Sequence, residues 1–163
     1  MNYQSNMAPG LAKHRYVVGF IFYRGFRSSK KVVLIKKTKP EWQNGLLNGV
    51  GGRIEDGESA HGAMERECRE ECGLHIPSKA WINFAIGDFT HCDVNFFYTR
   101  LDQGTVRLVK LTDEEPCSIF IVNLRDYNTV SNVQWLIPLA EDCDGSLSGT
   151  CSNLSLPIYF TGT

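Results

Sequence analysis

Three glutamates, Glu67, Glu70 and Glu71, fall within about one helical turn of the stretch "MERECREECG", residues 64–73. On a wheel that advances about 100° per residue from Ala60, the apolar residues Ala63, Met64 and Cys68 gather near roughly 300°, 40° and 80°. Glu67 and Glu71 lie in the middle of that face, near roughly 340° and 20°, and Glu70 on its edge near roughly 280°. Charged helices ordinarily turn their charges to water. Burying an unpaired carboxylate costs several kcal/mol or forces its protonation, and three within one turn aggravate both penalties. A divalent cation removes them. Carboxylate oxygens are preferred ligands of magnesium and manganese, ions that readily share a site with phosphates. Arg66, four residues before Glu70, is spaced to pair with it and hold its rotamer. The stretch therefore predicts an inward-facing acidic cluster that binds a divalent cation.

The surrounding residues supply the elements that must position this cluster. "YVVGFIFY" and "KVVLIKK", separated by "RGFRSSK", predict an antiparallel hairpin. "TKPEWQNG" punctuates, and "LLNGVGGRIEDGES" is a glycine-rich connector with room for a short strand near residues 47–51. Ser59 is placed to cap the acidic helix and Gly73 to end it. "WINFAIGDF", "DVNFFYTRL" and "CSIFIVNL" predict three more strands, "SNVQWLIPLAEDC" a second helix with Pro138 in its first turn or at a bend, and "LPIYF" a last strand. The class expected is α+β, a mixed sheet with helices packed on it.

A chain of 163 residues suits one domain with a core of its own. No apolar run has the length that crosses a bilayer, and "MNYQSNMAPGLAKHRY" lacks the apolar centre of a secretory signal. The first 15 residues are expected as a lead-in, and residues 16–163 as a single domain. The six cysteines are scattered and read as reduced thiols, which points to a cytoplasmic protein. Residues 1–40 hold nine Lys or Arg and no acid, whereas the remaining residues hold all 18 acids. Such a split can set a basic wall for phosphates beside an acidic pocket for cations. Lys36, Lys37 and Arg53 are the candidate phosphate partners.

The spacing around the helix, Gly52, Glu58, Arg66-Glu67, Glu70-Glu71 and Gly73-Leu74, resembles the Nudix box of the Nudix hydrolases over residues 52–74. Cys68 stands where that family prefers an aliphatic residue, and a thiol is apolar enough to serve. Seven of these letters, Leu74 set aside, coincide by chance on the order of once in 10^8 starting points. The resemblance implies an α/β/α sandwich with a mixed, curved sheet and a loop-helix-loop catalytic motif. It also implies that the carbonyl of Gly51 joins Glu67, Glu70 and Glu71 around Mg2+ or Mn2+. Glu67 would position or deprotonate the attacking water, Arg66 would orient a glutamate, and Glu58 would support the loop and helix start. The activity implied is hydrolysis of a nucleoside diphosphate linked to another group, by attack of water at phosphorus.

Within the family, "LLNGVGGRIEDGES" is similar to the corresponding segment of oxidised-purine nucleoside triphosphatases. That similarity makes Asn48 a base reader, with Asn132 in "SNVQWLIPLA" at the purine edge; an asparagine amide both donates and accepts. "LTDEEPCSIF" resembles an acidic loop that adds a metal or water contact from Asp113, Glu114 or Glu115. The expected partner is a small nucleotide, with no membrane, and the absence of an arginine-rich run or aromatic RNA-binding motif argues against nucleic acid. The readings carried forward are a triphosphate pyrophosphatase releasing monophosphate and pyrophosphate, a hydrolase of ADP-ribose, dinucleoside polyphosphate or capped RNA, and a non-catalytic nucleotide sensor.

Overall fold

The computed structural model describes residues 13–25, 27, 29–106, 115–145 and 158–162. The β-branched and aromatic runs form the expected hairpin, β1 (His14–Arg24) and β2 (Lys30–Lys36), paired antiparallel from Ile21–Val33 to Arg24–Lys30. β1 begins two residues ahead of the expected start, because His14 and Arg15 already pair with Cys92 and Asp93. β3 (Leu47–Asn48) follows, then α1 (Ala60–Cys72), β4 (Ile82–Phe89), β5 (Cys92–Leu101), a single turn α2 (Gln103–Val106), β6 (Glu115–Phe120), α3 (Val133–Gly145) and β7 (Ile158–Gly162). The strand expected over "CSIFIVNL" stops at Phe120. Residues Ile121–Asp126 wind into a 3-10 helix instead.

The strands form one mixed sheet in the order β3-β2-β1-β5-β4-β7, with β6 paired to β2. β1 runs parallel to β5 and antiparallel to β2. Strand alternation gives the sheet two apolar faces. Val17, Ile21, Val33 and Ile35 pack with Ala63, Met64, Cys68 and Cys72 of α1. Phe20, Phe22, Val32 and Leu34 pack with Val133, Leu136, Ile137 and Ala140 of α3. Met64 and Leu136 are both fully buried, and burial of such a side chain contributes about 1.5–3 kcal/mol. A helix on each face of a mixed sheet is the α+β sandwich expected from the sequence. Pro138 lies inside α3 rather than in its first turn, so the carbonyl of Gln134 lacks its usual i+4 amide partner.

One departure from regular pairing positions the acidic helix. Beyond the Ile21–Val33 pair β2 parts from β1, and the connector from β3 to α1 runs along the vacated edge. Gly19 bonds Val50 in both directions at 2.7 and 2.9 Å, the Val17 amide donates to the Gly52 carbonyl at 2.9 Å, and the Ile54 amide to the Arg15 carbonyl at 2.8 Å. At Gly51 φ is +151°, and an added Cβ would lie 2.0 Å from the Val17 carbonyl oxygen, so only glycine passes there. The Ser59 hydroxyl accepts from the Gly62 amide at 3.0 Å to start α1, and Gly73 closes it at φ +67°.

Candidate active site

α1 lies with its apolar face on the sheet, and its Glu67 and Glu71 are carried in with that face. Their side chains are 12 % and 14 % exposed, whereas that of Glu70 is 55 % exposed. The wheel's edge position for Glu70 therefore resolves outward. The two inner carboxylates meet consecutive residues of the connector. Glu71 Oε2 accepts from the Gly51 amide at 2.9 Å. The Glu67 carboxylate stands over Gly52, where an added Cβ would come within 2.5 Å of Oε1. That clearance explains a second glycine beside Gly51.

Two cations of the chain neutralise this charge. Arg66 donates through Nε and Nη2 to the two oxygens of Glu58 at 3.0 and 2.9 Å, and through Nη1 to Glu67 at 2.7 Å and Glu70 at 3.2 Å. Its Nη2 also reaches the carbonyl of Arg53 at 2.9 Å, tying helix to connector. Lys37 Nζ lies 2.6 Å from Glu71 Oε1 and 3.4 Å from the Gly51 carbonyl. Burial pushes the Glu67 carboxyl above its ordinary pKa, against the hydrogen bond and charge of Arg66, which pull it down. The hydrogen bonds from Arg66 hold Glu58 below the ordinary carboxylate range, and those from Glu58 raise Arg66 in turn.

The depressed pKa of Glu58 has a consequence for acid stability. Its carboxylate contributes stability that is present above its unfolded pKa of roughly 4.3 and is lost as the pH falls through the lower folded value. A Glu58→Gln variant lacks this contribution at every pH. Its melting temperature is expected to fall below that of the parent at pH 7, with the two curves converging as the pH falls below the unfolded value of roughly 4.3. Parallel curves across that fall would remove Glu58 as a contributor.

The remaining candidates occupy different surroundings. Asn48 is buried, its Oδ1 accepting from the Gly49 amide at 2.8 Å and its Nδ2 donating to Gln43 Oε1 at 3.1 Å. A bridge between Leu47 and Thr129 brings the start of α3 to the same edge of the sheet. The main-chain carbonyl of Asn132 accepts the Trp135 and Leu136 amides, while its Oδ1 is shielded from solvent without a hydrogen-bond partner among the described residues. Arg53 is exposed, bridged through its main chain to Tyr16. Lys36 is exposed at the end of β2. Its parity with Val32 and Leu34 assigns it to the α3 face, whereas Lys37 shares the α1 face with Val33 and Ile35.

Asp113 and Glu114 lie outside the described residues, as does the side chain of Glu115. The link from Lys37 to Glu71 and the Gln43 support of Asn48 were not foreseen. Strand parity sets Lys36 and Lys37 on opposite faces but does not say which face meets α1; nothing in the spacing marks Gln43, whose position depends on the 3-10 turn Glu41–Gln43. Among the described residues, no three His, Cys, Asp or Glu side chains are gathered as a metal cage. The donors nevertheless suit a hard divalent ion: carboxylate and carbonyl oxygens, two of the carboxylates shielded, with glycines where a Cβ would obstruct.

No described helix is long and apolar enough to cross a membrane. In comparisons with solved structures, the chain resembles the NUDIX domain of Shewanella oneidensis NrtR complexed with ADP ribose. The TM-score is 0.66 at 16 % identity, over 86 % of this chain and 96 % of that one. MutT from Aliivibrio salmonicida and Vibrio cholerae matches at TM-score 0.60 and 21 % identity, over 78 % and 96 %. A bifunctional NMN adenylyltransferase/ADP ribose pyrophosphatase from Francisella tularensis, complexed with AMP and a Mn ion, matches at TM-score 0.65 and 14 % identity, over 83 % of this chain and 43 % of that one. These likenesses establish the fold. The family model for the NUDIX domain matches residues 13–139, from the residue before β1 into α3 and across the whole box. The chain therefore belongs to the Nudix family, the hydrolases of compounds in which a nucleoside diphosphate is linked to another moiety.

Proposed function

We propose that the protein is a divalent-metal-dependent pyrophosphohydrolase that cleaves a nucleoside triphosphate, an oxidised purine among the candidates, to monophosphate and pyrophosphate. The observation that carries this reading is the pair of nearly buried carboxylates, Glu67 and Glu71, set against Gly52 and Gly51. The Gly51 carbonyl with Glu67, Glu70 and Glu71 would hold Mg2+ or Mn2+. Such an ion, when bound, neutralises phosphate oxygens and makes water acidic enough to attack phosphorus. Glu67 orients the attacking water and takes its proton; burial, by raising its pKa, makes it the stronger base. Arg66 holds Glu67 and Glu70 in place through its anchor on Glu58 and the Arg53 carbonyl. Lys36, exposed at the end of β2, and Arg53, exposed on the connector, are the cations assigned to the phosphate chain.

Asn48 and Asn132 read the base. Gln43 and Gly49 set the Asn48 amide in one orientation, leaving one N–H for a ligand acceptor. The unpartnered Oδ1 of Asn132 is assigned as the acceptor for the base, since that oxygen does not cap α3. ADP-ribose is the second substrate class, favoured by the NrtR NUDIX domain complexed with that ligand.

A panel of normal and oxidised nucleoside triphosphates, ADP-ribose, a dinucleoside tetraphosphate and capped RNA, each incubated with Mg2+ or Mn2+, tests the proposal through its products. Release of monophosphate and pyrophosphate from a triphosphate, absent in Glu71→Gln, is the expected result. Asn48→Ala is expected to lose about three- to tenfold in selectivity among bases, the contribution of one neutral hydrogen bond. Exclusive turnover of ADP-ribose transfers the assignment to the second class. No turnover of any compound defeats the enzymatic reading.

A further inference from the structure

The box glutamates are not waiting bare for a metal: the chain supplies its own cation at one of their positions. Lys37 Nζ is 2.6 Å from Glu71 Oε1 and 3.4 Å from the Gly51 carbonyl oxygen, and its side chain is 8 % exposed. Those are two of the four groups assigned to the metal above. The Gly51 amide donates to the second Glu71 oxygen at 2.9 Å, so Lys37 and that amide engage different oxygens of one carboxylate. A divalent ion on Glu71 Oε1 and the Gly51 carbonyl, and an ammonium on the same two atoms, exclude each other by contact and by charge.

We infer that Lys37 is a resident counterion that competes with the metal for Glu71 and Gly51 and leaves when substrate phosphate offers it another partner. The inference rests on the metal-binding reading proposed above and adds a coupling to it. Lysine suits this role better than arginine, because it is a compact charge on a flexible four-carbon stem that can turn between neighbouring anions. The main chain of Lys37, the first residue beyond β2, is fixed by bonds to the Leu46 carbonyl at 2.9 Å and the Gly45 amide at 2.8 Å, so the ammonium moves by rotation of its own stem. Nucleotide binding then draws the ammonium off Glu71, and metal binds more tightly to the nucleotide complex than to the free protein. By linkage, metal tightens nucleotide binding by the same factor. The free protein meanwhile keeps Glu71 neutralised, avoiding the penalty of a shielded, unpaired carboxylate.

The test reads Mn2+ binding to the full chain by electron paramagnetic resonance and calorimetry, with no turnover required. Without nucleotide, Lys37→Met is expected to bind Mn2+ at least about tenfold more tightly than the parent, since a unit charge at contact distance is removed from the site. A non-hydrolysable nucleotide analogue is expected to tighten Mn2+ binding in the parent by a larger factor than in Lys37→Met, where only the ligation of the ion by the analogue's own phosphate oxygens remains. Lys39→Met, which removes an exposed lysine of the same loop, controls for a general change in charge and is expected to stay within about threefold of the parent. Lys37→Gln serves should the methionine variant not fold, and the parent's own response to the analogue is a reading that needs no variant. Equal or weaker Mn2+ binding in the folded Lys37 variants overturns the inference, as does a parent in which the analogue leaves Mn2+ binding unchanged. Failure of the underlying metal reading looks different: Mn2+ then binds none of the proteins, or binds Glu71→Gln as it binds the parent, and that outcome removes the Lys37 role with it.

Discussion

Glu67→Gln is expected to lower kcat by a factor of about 10^2–10^4, the range associated with loss of a positioned general base, while the protein stays folded. Glutamine matches the shape of glutamate, so it still clears Gly52 and can still accept from Arg66 Nη1. What it loses is the negative charge and the proton affinity, both sharpened by burial at 12 % exposure. The melting temperature is therefore expected to hold or rise, because a partly desolvated charge has been removed. Steady-state kinetics on the best compound of the panel, beside a thermal melt, separate the two effects. A rate within about threefold of the parent would take Glu67 out of the chemistry, and an equal loss of rate and stability would make it structural.

Arg66→Ala is expected to be the most destabilising single change at the site. One guanidinium holds three carboxylates and a carbonyl, joining α1 to the connector at Glu58 and Arg53. Removing one partner of a buried pair costs about 3–5 kcal/mol, whereas exposed pairs contribute about 0–1. Arg66 is 19 % exposed, its partners Glu58 and Glu67 are 20 % and 12 % exposed, and Glu70 is mostly in water. The expected loss therefore falls between these limits, at about 2–3 kcal/mol in urea unfolding. Turnover is expected to drop by about 10^2, since misplacing a catalytic group by about an ångström has that effect. Arg66→Lys restores only part of either quantity, because an ammonium cannot make the two-pronged contact to Glu58. A stability loss below about 0.5 kcal/mol in Arg66→Ala would show the network to be a set of solvated surface pairs.

Much of this site was legible before the fold. Helical periodicity turned Glu67 and Glu71 inward, since their neighbours Ala63, Met64 and Cys68 had to meet a core. The cap at Ser59 and the stop at Gly73 are local as well: one hydroxyl three residues from an amide, and one residue able to take a positive φ. Glu70 lay on the boundary of the face, and a wheel cannot decide such a position. The degree of exposure there depends on what covers the helix edge.

What the amino-acid order determined by itself is what short-range geometry controls: the limits of α1, the alternating strands, and a spacing of glycines and glutamates that brings carboxylates and backbone to one side. Choosing Lys37 over Lys36 as the partner of Glu71 required knowing which face of β2 meets α1, and that follows only from the docked sheet. Likewise the anchoring of Arg66 on Glu58, the support of Asn48 by Gln43, and the turn of Ile121–Asp126 away from the sheet all depend on tertiary packing. Contacts between segments exist only once long-range pairing has placed them, and adjacent residues of a strand face opposite ways, so a register decides which charge meets which.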